Sequence, residues 1–390
     1  MTDSQVEPVL EAVRELVPAL RAAGEEAEQR RWVAEDSIAL LDKAGVFRIA
    51  TPRRFGGLDL SLDDQVKVLR EIGRGCGSTA WTAMVWVSSA GLATLYGDQA
   101  QEEVFAQGSV RISGGFTPTG TLTPTEGGYL LNGSWRFNSG CRGADWNMSA
   151  ALVERPDGGH DEAIAIVPMS AYTITDDWHT SAAAATGSCT TTAENVFVPE
   201  HRVVGYGDAI FNTTPGRTAE VTPGRRYGLF TYVMAECAAA YLGIAQGAYE
   251  LFCERIPGRG ITYTNWDDQS RHPLTQIQVA TAANKIAAAN ALLNETVALL
   301  QRRADADEQP TLQEKADVRG RTAFAVQLAK EAVEILFSAS GATAIQRSVP
   351  IQRFHRDAQG LALHALLLPS TNLEVQGRVL LGLDPDTPFL

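Results

Sequence analysis

The hydrophobic period of this chain changes twice, and that constrains its fold more than any single motif. Up to about residue 108 the apolar residues recur three and four apart, as in VEPVLEAVRELVPALRAAGEEAEQRRW, with charges between them. That is the spacing of amphipathic helices. From about 109 to 215 the chain turns rich in Thr, Gly and Pro and alternates at period two, the habit of half-buried strands. From about 216 onward, long helical spacing returns in four segments, the last broken near Pro369. The expectation is an α+β chain. It has an N-terminal helical domain (1–108), a central antiparallel β-domain (109–215) and a C-terminal four-helix bundle (216–390).

Composition narrows the function classes. A formal net charge of -13 argues against nucleic acid or an anionic membrane as partner. The start, MTDSQVEPVL, has neither a basic region nor an apolar core, so no secretory signal is expected. No apolar run approaches the roughly 20 residues of a membrane span. Five scattered cysteines without a CxxC pair read as reduced thiols in the cytoplasm, with no metal site. GxGxxG between a strand and a helix, GxxxxGK[ST], HExxH and GxSxG are all absent.

The most informative stretch is Gly127 to Trp146, GGYLLNGSWRFNSGCRGADW. Gly127 and Gly128 suit a tight turn. Tyr129, Leu131, Trp135 and Phe137 then recur at even spacing, after which Asn138, Ser139 and Gly140 break the pattern. Short polar groups beside large rings suit the edge and face of a flat aromatic cofactor. An ordinary hairpin with a satisfied serine shows the same pattern. A second feature is TAMVWVSSAGLATLYG, a helix apolar on all sides, which is either core or a cavity wall. Trp81, Trp86 and Ser89 on it, with Trp146, are candidates for a substrate pocket.

The run Gly133–Gly140, GSWRFNSG, resembles the G-x-W-x-F-x-S-G run of the acyl-CoA dehydrogenase fold. It is most similar to the branch that became two-component flavin-dependent monooxygenases, such as 4-hydroxyphenylacetate hydroxylases. GSTAW, the order of the domains and the closing NLE…GR…LG carry the resemblance over almost the whole chain.

The resemblance implies that Phe116, Thr117 and Thr119, then Phe137, Asn138 and Ser139, then Thr186, Gly187 and Ser188 meet the flavin. Gln276 and Gln278 would reach the flavin of a neighbouring subunit in a homotetramer, a dimer of dimers. The dehydrogenases carry a catalytic glutamate after an RDA run. Here Arg356, Asp357 and Ala358 match that run, but the glutamate's place falls at Ala365, beside His364. A monooxygenase with His364 and Ser139 as catalytic groups is therefore expected. Reduced FAD or FMN would come from a separate flavin reductase, and oxygen would be carried as a C4a-hydroperoxide to an aromatic or polycyclic substrate, or to an amine. An acyl-CoA dehydrogenase or oxidase with a base such as Glu331 or Glu334, and a non-catalytic scaffold, are the alternatives. Gly360, one turn before His364, is expected to leave space beside the ring. Phenol hydroxylases of the branch place a histidine where this chain has Ser88, Ser89 and Ala90, which points away from a simple phenol.

Overall fold

The computed structural model describes residues 5–155, 158–211, 213–387 and 389–390. Pro156 and Asp157, in the turn expected between two strands, and the first four residues of the chain lie outside the described residues. Five helices come first: α1 (Val6–Arg30), α2 (Glu35–Lys43), α3 (Leu62–Gly75), α4 (Gly77–Ala93) and α5 (Asp98–Val104). Gly45, at φ 84°, ends the α2 turn as its position suggests. Ser61 caps α3 by accepting from the Asp64 N–H. The apolar segment expected to be core or cavity wall is α4. Its side chains are almost all buried, between α3, the long helix Leu229–Arg255 and the sheet.

The seven strands are β1 (Ile112–Thr125), β2 (Gly128–Trp135), β3 (Trp146–Glu154), β4 (His160–Pro168), β5 (Thr173–Thr175), β6 (Thr190–Pro199) and β7 (Val203–Gly205). They form one sheet in the order β5-β6-β2-β1-β3-β4-β7. The expected all-antiparallel sheet is corrected here: β1 and β3 pair parallel, because the chain leaves β2 and re-enters on the far side of β1. The register of that pair slips between Gly115 and Gly120, so Phe116–Thr119 leave the ladder opposite Ala150. The indole of Trp135 fills the breach and donates to the Ala150 carbonyl (2.8 Å). A Cβ at Gly115 or Gly120 would meet that ring at 2.9 or 2.3 Å, which is why both are glycine.

After α6 (Tyr206–Phe211) come α7 (Leu229–Arg255), α8 (Pro273–Asp305), α9 (Leu312–Ala339), α10 (Ile351–Leu361) and α11 (Pro369–Leu380). The fourth expected helix of the bundle is thus two, and Pro369 opens the second of them. The small residues of α7 let it approach α3 closely. A Cβ at Gly243 would meet the Arg70 carbonyl at 2.3 Å, and one at Gly73 the Ala240 carbonyl at 2.6 Å. α7 is long and apolar enough to cross a membrane, yet 83% of its apolar window is buried inside the protein, so it serves as a core helix.

One acid is buried in α7. Glu236 is fully enclosed and neither carboxyl oxygen has a hydrogen-bond partner, since the nearby Tyr232 hydroxyl donates to Gln65 Oε1 instead (2.8 Å). Burial raises its pKa well above the usual carboxylate range, which favours the protonated acid. The unfolded chain releases this proton above about pH 4.5 while the folded chain holds it, so stability falls as pH rises from there. Glu236→Gln is expected to melt above wild type at pH 8, with the gap closing toward pH 4.5. A gap independent of pH would contradict this.

Candidate functional site

The segment after β2 is shaped residue by residue. Phe137 (φ 60°) and Gly140 (φ 74°) are both left-handed and flank Asn138 and Ser139. Asn138 turns into the β-domain, where its amide donates to Asn147 Oδ1 (2.8 Å) and Thr191 Oγ1 (2.9 Å). Gly140 has no room for a side chain, because a Cβ would meet Trp86 Nε1 at 2.6 Å. Trp86 donates to the Gly140 carbonyl (3.2 Å) from behind. The result pins the backbone and leaves Ser139 facing α4.

There Ser139 meets Trp81. The Trp81 indole N–H donates to Ser139 Oγ (3.2 Å), which lies 2.7 Å from Ser188 Oγ, itself 2.6 Å from Thr186 Oγ1. Thr186 spends its proton on the Ala183 carbonyl (2.8 Å). A hydroxyl has one proton to give. The two ends therefore set the direction of the whole run: Trp81 to Ser139 to Ser188 to Thr186 to Ala183, as assigned from donor counting.

The loop carrying Thr186 and Ser188 is stapled to α10 by the RDA run. Asp357 Oδ1 accepts from the Ala183 N–H (2.7 Å), and Arg356 donates to the Ser181 carbonyl (2.6 Å). Tyr241 of α7 holds the Ala358 carbonyl (2.8 Å). Burial pushes the Asp357 carboxyl up to about 6. Gly360 does not open space beside His364. A Cβ there would meet Ala182 Cβ at 2.6 Å, so this glycine seats the loop on α10. The RDA spelling was visible in the sequence, but its stapling role was not, since both partners lie more than 170 residues away.

His364 sits in the break between α10 and α11. Its ring packs edge-on against Trp81, with centroids 5.2 Å apart and planes at 65°. Trp81 thus touches both expected catalytic groups, Ser139 through its N–H and His364 through its ring. His364 is exposed on one side, although neighbouring groups crowd its ring on the other. Those surroundings push its imidazole down, to about 4, so the ring is neutral at pH 7. Remaining contact with water softens that effect without reversing it. Nδ1 accepts from the Leu366 N–H (3.3 Å), which leaves the proton on Nε2.

Other expected residues lie elsewhere. Phe137 is 66% exposed, edge-on to Trp178 (5.7 Å), and forms a wall open to solvent. Phe116 packs on the main core, while Thr117 and Thr119 are exposed and Thr119 is tied to the Ser134 carbonyl (2.7 Å). Gly187, with φ 53°, packs on Trp32. Trp86 lies behind the loop, edge-on to Phe47 and Trp32, and Ser89 is buried within α4. Trp146 is capped by the Arg202 guanidinium (5.1 Å) rather than by any member of the Trp81 cluster. Gln276 and Gln278 stand on the first turns of α8, Gln276 exposed and donating to the Ser270 carbonyl (3.2 Å).

This architecture has known counterparts. Residues 4–111 match the acyl-CoA dehydrogenase N-terminal domain and residues 235–369 the acyl-CoA dehydrogenase C-terminal domain. The chain is 32% identical to the HsaA oxygenase subunit of a flavin-dependent monooxygenase from Rhodococcus jostii, over 90% of this chain and 92% of that one. It is 29% identical to the oxygenase component of p-hydroxyphenylacetate 3-hydroxylase from Acinetobacter baumannii, over 97% and 90%. Among solved structures, 3-HSA hydroxylase from Rhodococcus sp. RHA1 superposes with a TM-score of 0.92 at 30% identity, covering 98% of this chain and 99% of that one. XiaF from Streptomyces sp., in complex with FADH2 and glycerol, gives 0.92 at 29%, covering 99% and 98%. The chain belongs to the flavin-dependent monooxygenase oxygenase components of acyl-CoA dehydrogenase fold.

The neutral state of His364 has a thermodynamic signature. The unfolded ring takes up a proton below about pH 6.5 and the folded ring refuses it, so wild type loses stability as pH falls from about 6.5 toward 4. His364→Asn lacks this term. In urea titrations its midpoint is expected to gain on wild type as pH falls through that window. A difference that does not change with pH would show an ordinary histidine.

Proposed function

We propose that this chain is the oxygenase component of a two-component monooxygenase. It takes reduced FAD or FMN from a separate flavin reductase and inserts one atom of dioxygen into an aromatic or polycyclic substrate. The observation that carries this reading is the convergence of Ser139 and His364 on Trp81. The cluster fits a reduced isoalloxazine, with a polarised line of hydroxyls along one edge, aromatic rings at Trp81, Phe137 and Trp178, and a left-handed backbone that a bulkier segment would not tolerate. When bound, reduced flavin supplies the electrons and the oxygen-activating carbon.

The protein's own groups then divide the work. Ser139 can turn its proton from Ser188 toward the flavin edge at little cost, since Ser188 remains bonded to Thr186. His364, neutral with its proton on Nε2, donates to a substrate oxygen and positions it. Acting as a base would need the other tautomer and the loss of the Leu366 bond. Ser88 donates within α4 to the Val85 carbonyl (3.2 Å), so it cannot replace the histidine that phenol hydroxylases carry there. A ring system larger than a phenol, oriented from the His364 side, suits this arrangement. Acyl-CoA dehydrogenation is the weaker reading. Glu331 is taken by Lys285 and Gln327, and Glu334 by His355 and Ser338.

Phe137 and Leu363 are exposed in a single chain. Leu274 and Ile277 on α8 and Phe324 on α9 are also exposed. A homotetramer would cover such surface and bring Gln276 and Gln278 of one subunit toward the flavin of another, making the cleft dry enough to restrain peroxide loss. The free cysteines suit a cytoplasmic setting.

The test mixes protein, chemically reduced FAD or FMN, and oxygen, and times hydrogen peroxide release. Wild type is expected to bind reduced flavin and release peroxide more slowly than free flavin does. Ser139→Ala is expected to bind it but release peroxide about 10- to 100-fold faster, the worth of one hydrogen bond to a charged acceptor. Failure to bind either reduced flavin, or unchanged release in the variant, would overturn the reading.

A further inference from the structure

Behind the turn that carries Ser139 lies a clasp of buried polar side chains, and the sheet is split where it sits. β1 pairs with β3 from Ile112 to Gly115, while the end of β2, Gly133 to Trp135, pairs with β6. β1 and β2 pair with each other only from Gly120 and Gly133 toward their shared turn. Asn138, just past the end of β2, joins the two halves. Its amide donates both to Asn147 Oδ1 on β3 (2.8 Å) and to Thr191 Oγ1 on β6 (2.9 Å), strands that are not neighbours in the sheet. Ser113, the register partner of Asn147 on β1, donates to the same Asn147 Oδ1 (2.7 Å). Asn147 Nδ2 donates to Ser149 Oγ (2.9 Å), which lies 2.8 Å from the Tyr172 hydroxyl. Ser113, Asn138, Asn147, Ser149 and Thr191 are all fully buried.

Buried amides and hydroxyls are costly unless every group is satisfied. Here Asn138 Oδ1 has no partner among the described residues. An apolar filling of the same shape would hold the two halves together at no greater cost. What the polar clasp adds is direction, since hydrogen bonds fix angle as well as distance. Asn147 Oδ1, oriented by Ser113 on one side and by the Ser149 bond on the other, gives Asn138 one seat. Asn138 directly precedes Ser139, so that seat decides where the Ser139 hydroxyl points. The flanking backbone is left-handed at Phe137 and Gly140, a conformation that persists only where its surroundings hold it.

We infer, on the role proposed for Ser139, that Asn147 is a positioning residue of the oxygenation reaction. Through Asn138, and with Thr191 as the second anchor, it keeps Ser139 Oγ on the line between Trp81 and Ser188, ready for the flavin edge.

The experiment uses Thr191→Val, which keeps the side-chain shape and removes one acceptor of Asn138, and Asn147→Ala, which removes the other. Thr192→Val, on the opposite face of β6, is the control. The first readout needs no cofactor. In protein labelled with fluorotryptophan, the Trp81 fluorine signal, identified by its loss in Trp81→Phe, is expected to move in both clasp variants and to stay in place in the control. The second readout is peroxide release after mixing with reduced flavin and oxygen. Both clasp variants are expected to bind reduced flavin as wild type does and to release peroxide about 3- to 10-fold faster, the worth of one hydrogen bond. In a Ser139→Ala background neither should add a further rise, because the clasp acts through that hydroxyl. Thr191→Val keeps the test decisive if Asn147→Ala does not fold. An unmoved fluorine signal, unchanged release beside a fast Ser139→Ala, or an equal further rise on top of Ser139→Ala would each overturn the inference and leave the role of Ser139 standing. Unchanged release in Ser139→Ala itself would overturn both.

Discussion

The buried indole N–H of Trp81 finds its acceptor in Ser139, and the geometry of the site follows from that bond. A buried donor without a partner costs about 1–3 kcal/mol, so the bond is costly to abandon. It joins α4 to the turn after β2. The Ser188–Thr186 pair extends the join to a third segment, and the ring of Trp81 fixes the side on which His364 can pack. Helical domain, sheet and bundle are thereby registered on one side chain.

Part of the left-handed backbone of the protein lies around that side chain. Phe137, Gly140, Ala183 and Gly187 all have positive φ, and all lie in the two loops that hold the hydroxyls. Strained backbone persists where neighbours over-determine it. Here those neighbours are the Asn138 anchor, the Trp86 bond to Gly140 and the Asp357 staple on Ala183. The line of hydroxyls is polarised before any ligand arrives, with the last proton committed to a backbone carbonyl. Little reorganisation would then be needed if, as proposed, a flavin edge replaced one bond in the line.

Local features were legible in the sequence. Helix and strand periods depend on neighbours within one turn or one pleat, so the domain order could be read directly, as could the G-x-W-x-F-x-S-G turn. Features set by distant pairing were not. The parallel β1–β3 pair, the slip that extrudes Phe116–Thr119 and the inward turn of Asn138 depend on strands that meet only in the folded sheet. Trp146 looked like a pocket residue because it is large and aromatic, but Arg202 covers it, and nothing local signals that partner. Gly360 was read as empty space when it is a contact, because a glycine's neighbours across the fold are invisible in one dimension.

The central claim is that one cleft, centred on Trp81, holds the reduced cofactor between Ser139 and His364. The most direct measurement is an anaerobic crystal structure of the protein with reduced flavin. The account predicts the isoalloxazine edge within hydrogen-bond reach of Ser139 Oγ and an open space for substrate between its face and His364 Nε2. A flavin bound elsewhere, with the Trp81–Ser139–Ser188 line undisturbed and no contact to it, would contradict the account.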